Sequence, residues 1–165
     1  MTRTITFEPG SWTLPIDLGP MLDADGNVVI KSPTDTATGV KAVYDLDKAV
    51  FVLKGAPARL TTPKDSFQAS DSLEYWELKK MAVLRGDAVA RQGDKTLKAD
   101  ILTAHFKDKA AAGRPGAAQG DGGLELQRAD AFGHVVLTSA TETVSGERGD
   151  YDAESGVATV SGSVK

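Results

Sequence analysis

With 165 residues, no cysteine and a formal net charge of −4 at pH 7, the chain is sized for one domain over 1–165, and disulfide frameworks and thiol chemistry are excluded. The acidic balance, with a pI near 5.2, argues against a general nucleic-acid binder or a polybasic membrane anchor, since both rest on cationic surfaces. No apolar run is long enough for a membrane-spanning helix, which needs about 18 residues.

The amino terminus, Met1-Thr2-Arg3-Thr4, has no apolar leader core. If the protein is exported, its signal is expected to be absent from this sequence. The first recognisable element surrounds Gly26. Asp23-Ala24-Asp25-Gly26 has the opening of a calcium loop, yet the twelfth position from Asp23 is Thr34, not a bidentate glutamate, so a hairpin turn at Asp25-Gly26-Asn27 is expected instead.

The glycine then returns in Gly55-Ala56-Pro57, Gly86-Asp87-Ala88, Gly133-His134-Val135 and Gly162-Ser163-Val164. The spacing is roughly 30 residues, with one longer step before Gly133, and it points to stacked supersecondary units. Tyr44, Tyr75 and Tyr151 each stand eleven residues before Gly55, Gly86 and Gly162, and a short polar turn follows each tyrosine. Each unit therefore reads as a hairpin: aromatic strand end, turn, apolar run, glycine. In the fourth copy Phe106 replaces the tyrosine, and a Gly/Ala-rich stretch at 107–123 occupies the turn. Such a stretch cannot pack, and it reads as a mobile hairpin loop that leaves the stack intact.

Positions two and four residues to either side of each glycine share a strand face with it. They include Val28, Ile30, Phe51, Leu53, Arg59, Ala82, Leu84, Val135, Leu137 and Val160, and among all nineteen such positions only Arg59 is polar. The opposite parity is mostly polar or charged. The glycines are expected on the dry face, where a column of them would crease the sheet into a trough. Seven of the nineteen residues are alanine, and so small a lining leaves room for an aliphatic ligand. The plainer alternative is an ordinary sandwich whose halves pack shut.

His105 and His134 are the only imidazoles. A zinc site needs three or four converging ligands, and a Ser-His-Asp triad needs a geometry that spacing does not supply. No metal, cofactor or catalytic residue is expected. The glycines at 113–123 lack the strand-to-helix frame of a phosphate cradle. Lys54, Lys79, Lys80, Arg85, Lys95 and Lys98 fall near strand ends, where such residues more often solvate edges than meet a phosphate.

The stretch Leu73-Glu74-Tyr75-Trp76, then Met81 to Val89, then Gln92-Gly93-Asp94-Lys95-Thr96-Leu97-Lys98-Ala99-Asp100 resembles the repeated G-N-V, Q-G, A-D motif of the LptA/OstA family, and Ala131 to Val136 and Gly146 to Val164 repeat it. The resemblance implies an open, V-shaped, twisted β-jelly roll (a β-taco) built from repeated antiparallel strands. It further implies a non-enzymatic periplasmic protein of Gram-negative bacteria that binds the lipid A acyl chains of lipopolysaccharide. In that family, edge-strand pairing with LptC-like and LptD-like proteins, or with further copies head to tail, makes a bridge from inner to outer membrane. The ten dry-face residues named above are then the lipid contacts, with Arg59 at the rim. An LptC-like member is the nearest alternative; a β-edge interaction module without lipid, or a small hydrolase using a histidine, is more remote. Two departures stand out: His134 occupies a position usually held by asparagine, and three residues after Gly162 leave a short last strand.

Overall fold

Period-two alternation yields strands, and the computed structural model describes twelve of them over residues 2–6, 21–31, 36–108 and 124–165. They are β1 (Thr2–Thr6), β2 (Met21–Lys31), β3 (Thr36–Asp45), β4 (Val50–Lys54), β5 (Ala58–Thr61), β6 (Asp65–Ala69), β7 (Ser72–Trp76), β8 (Met81–Gln92), β9 (Lys95–Asp108), β10 (Leu124–Thr138), β11 (Thr143–Asp152) and β12 (Val157–Ser161). The only helical element among the described residues is a 3-10 turn at Glu77–Lys79. Each tyrosine closes a strand ahead of its turn, as the repeat implies. Aspartates fix two of these turns: Asp45 Oδ1 accepts the Lys48 N–H at 3.0 Å and Asp152 Oδ1 accepts the Ser155 N–H at 2.8 Å, satisfying backbone donors that the ladder leaves over. Lys107 and Asp108 continue β9, and the rest of the glycine-rich insertion lies outside the described residues.

All twelve strands join one sheet, in the order β1-β2-β3-β4-β7-β8-β9-β10-β11-β12, with β5 and β6 inserted between the far halves of β3 and β8. Neighbours are antiparallel except β1, which runs parallel to β2, a pairing open to a strand separated from its partner by more than a hairpin turn. The long strands change partners midway: β3 pairs β4 through Lys41–Asp45 but β5 through Thr36–Thr38, and β8 pairs β7 and then β6. Two leaves result, hinged on a line through the middle of the long strands.

The hinge is built at the glycines. Register shifts fall between Asp25 and Val28, between Arg85 and Ala88, and between Phe132 and Val135. At Gly86-Asp87 and Gly133-His134 both residues have positive φ, +80° and +40°, then +74° and +46°. Two left-handed residues opposite one extended residue form a bulge that bends the strand, and the first must be glycine for steric ease. Gly26 therefore lies within a continuous β2, and the hairpin turn expected there is replaced by a bulge.

The glycines do not face the dry side. A side chain at Gly86 would meet Ser70 and Asp71, one at Gly133 would meet Asp100, and one at Gly162 would meet Glu147. The crease is thus lined by acids on its convex side.

Across the sheet the inner face forms continuous rungs. One beside the crease runs Ala42, Leu53, Leu73, Leu84, Leu102, Ala131, Gly149, Val160; in the other leaf a rung runs Ile30, Ala37, Leu60, Phe67, Ala90, Leu97, Leu137, Val144. Residues of both leaves join in one core, with Val28, Ala58, Ala88 and Val135 from one and Leu53, Leu73, Leu84 and Leu102 from the other.

Arg59 is a correction to the dry-face set. The chain turns at Gly55–Pro57 instead of bulging, and proline has no N–H for the ladder, so β4 ends and β5 begins with its parity reversed. Ala58 is fully buried, Leu60 packs on the core, and Arg59 is exposed on the convex face.

Candidate functional site

The two leaves do not close along their whole length. In the amino-terminal half the next rung outward carries Tyr44, Phe51 and Tyr75 in adjacent strands, and the core beneath is sealed, with Leu53 0% and Val28 1% exposed. From β8 onward the same rung becomes Ala82, Ala104 and Ala129 before Tyr151 and Ala158. Replacing rings by methyl groups across three strands removes the contacts that would fill the gap.

A cavity of about 720 Å³ occupies that space, well within the range of roughly 300–1,000 Å³ usual for small-molecule sites. Its floor is made by Leu84, Leu102, Val135 and Gly149 near the crease. Leu97, Leu137 and Val144 form one wall, and Phe106, Leu126 and Tyr151 the other. Ala158 and Val160 carry the lining out onto β12, the last strand of the sheet.

Of the ten sequence-derived contacts, Leu84, Val135, Leu137 and Val160 line this space. Val28 and Leu53 are core residues of the sealed half, Ile30 and Phe51 pack against that core, Ala82 lies on the alanine rung without touching the cavity, and Arg59 points away. Missing from the sequence-derived set were Leu97, Leu102, Phe106 and Tyr151. They belong to β9 and β11, where the inner face switches from Leu102 to Ala99 and from Gly149 to Gly146 across the crease, so no fixed parity reaches both halves.

The mouth on the β6–β8–β9 side is polar: Lys64, Asp65, Gln92 and Lys95 line it. Lys95 alone among them belongs to the lysines noted from sequence.

Both histidines lie off this space. His134 is on the crease, its side chain 90% exposed and its Nδ1 2.9 Å from Asp100 Oδ2. Hydrogen bonding to that carboxylate, then its charge, holds the imidazole pKa above the ordinary 6.5. His105 Nε2 is 3.6 Å from Asp130 Oδ2, whose other oxygen accepts Arg128 Nη2 at 2.6 Å. Among the described residues no three metal-ligating side chains converge.

Residues 69–165 match the sequence model of the family described as LptA/(LptD N-terminal domain) LPS transport protein. The chain belongs to this family. LptA-type members are transport components, not enzymes. Among solved structures, the chain is similar to LptH of Pseudomonas aeruginosa, described as the LptA-homologous periplasmic component of the lipopolysaccharide transport device. The TM-score is 0.52 at 10% identity, covering 87% of this chain and 83% of that one, and the two share the LptA-type β-jelly-roll fold. No curated protein matches in sequence.

Proposed function

We propose that the protein works in the periplasm, holds the acyl chains of lipopolysaccharide in the trough of its carboxy-terminal half and passes them along the sheet axis to the next protein of the bridge. The observation that carries this is the cavity of about 720 Å³ walled by aliphatic and aromatic side chains from both leaves. Each acyl methylene taken out of water there contributes about 0.8 kcal/mol, so several chains bind without charged contacts. A lipid-free β-edge module would have no use for an alanine rung that leaves the space between the leaves unfilled.

The lining runs out onto β12, which pairs only with β11 among the described strands. An unpaired edge next to an open trough suits β-augmentation by a copy of this chain or by LptC-like and LptD-like partners, so that one trough continues into the next. Photo-crosslinking tests the proposal. A reactive side chain at Leu84, Leu137 or Val160 is expected to give lipopolysaccharide adducts, and one at Arg59 none. Equal labelling at all four positions, or none at any, would sink it.

A further inference from the structure

The inner rungs of the second leaf are apolar until the last. Phe67, Ala90 and Leu97 sit side by side, and one step outward Asp65, Gln92 and Lys95 do. Lys64 precedes Asp65, and these four line the cavity mouth, whereas the Arg91 side chain alternates to the opposite face beside Ser66 and Thr96. Adjacent strands lie about 4.8 Å apart, so Asp65, Gln92 and Lys95 present their head groups to one bound polar body. The opposite lip, with Phe106, Leu126 and Tyr151, carries no such cluster among the described residues.

One atom of this lip is out of balance. Asp65 Oδ1 is buried with no hydrogen-bond partner among the described residues. A carboxylate oxygen withdrawn from water and left unpaired is costly, and water or a ligand's hydroxyl or amide N–H can supply the missing donor. Lys64 and Lys95 beside it have no ion pair to another described residue, and the further acids of the lining, Glu142 and Asp150, belong to the β10–β11 turn and to β11. Ammonium groups so placed suit phosphate-class oxygens, with which they form charge-assisted hydrogen bonds.

We propose that this lip is a headgroup subsite: Asp65 accepts from a sugar hydroxyl or amide while Lys64 and Lys95 pair with a phosphate on the same headgroup. The assignment rests on the trough being an acyl-chain carrier, and it adds an orientation, with the charged headgroup over the β6–β8–β9 lip and the chains directed toward the crease.

The test uses the whole chain and two probes: an acylated glucosamine disaccharide bisphosphate, and the same lipid with its phosphates removed, both in one mild detergent. Inorganic phosphate and glucosamine serve as soluble competitors. The Lys64→Ala/Lys95→Ala variant is expected to bind the phosphorylated lipid about tenfold more weakly, a loss on the scale of one charge-assisted contact, and the dephosphorylated lipid unchanged. Asp65→Ala is expected to weaken both lipids while raising the unfolding midpoint, because it removes the unpaired oxygen. Equal losses on the two lipids in the double variant, or no preference of the unaltered protein for the phosphorylated form, would overturn the subsite and leave the trough standing. Displacement by inorganic phosphate as readily as by lipid would reassign the lip to free anions. Failure of the unaltered protein to bind either lipid would overturn trough and subsite together.

Discussion

The crease depends on single residues in unusual backbone states. At Gly86 and Gly133 a side chain would have to adopt positive φ and intrude on Ser70 and Asp71 or on Asp100. Gly133→Ala is therefore expected to cost about 1–3 kcal/mol, read as a lowered urea midpoint, whereas Gly93→Ala, in a turn where nothing lies within 4 Å, adds only the backbone term. His134 follows Gly133 with φ +46°, a conformation that histidine and asparagine adopt more readily than most residues. Its pairing with Asp100 makes stability depend on pH. Because the folded pKa is raised, the contribution is complete below the ordinary value of 6.5 and is lost as pH rises through the folded value. Thermal midpoints taken below and above this window should converge in His134→Asn, which keeps the backbone but cannot titrate. An unchanged pH dependence in that variant would rule the pair out as its source.

At the scale of elements, the hairpin unit of aromatic, turn, apolar run and glycine was legible because each part has a local cause. Asp45 and Asp152 cap their own turns, and alternation in β8, β10 and β12 is written around the bulge glycines. Two bulged residues opposite one keep the parity of the bulged strand and reverse that of its partner, so β9 and β11 hide half of their inner residues from any count anchored on glycine. Gly55 misled for the same reason: it has the spacing of a bulge glycine, yet Pro57 ends the strand and sends Arg59 outward. Lys64 and Asp65 could not be seen as part of a site, because their neighbours Gln92 and Lys95 come from another hairpin. The leaves also differ in what a truncation removes. Leu53→Ala, in the sealed half and 0% exposed, is expected to cost about 2–5 kcal/mol. Leu137→Ala, facing the cavity, should cost less, since its side chain already lacks neighbours on one side. Denaturant titration of the two variants separates a packed half from an open one.

Over the whole molecule, one rung of side chains changes from Tyr44, Phe51 and Tyr75 to Ala82, Ala104 and Ala129, and with it the sheet changes from a closed sandwich to a trough. The sandwich and the trough that the alternating pattern left open as rival readings are both present, one in each half. The open half ends at β12, where Val157 is 57% exposed. Val157→Lys on that edge is expected to lower concentration-dependent light scattering if copies join there, since edge lysines oppose strand addition. If the alanine rung leaves space for acyl chains, lipopolysaccharide binding by Ala129→Trp, with circular dichroism confirming an intact sheet, tests it most directly. Filling the trough with an indole should reduce affinity by about tenfold or more. Undiminished binding by the folded variant would contradict it.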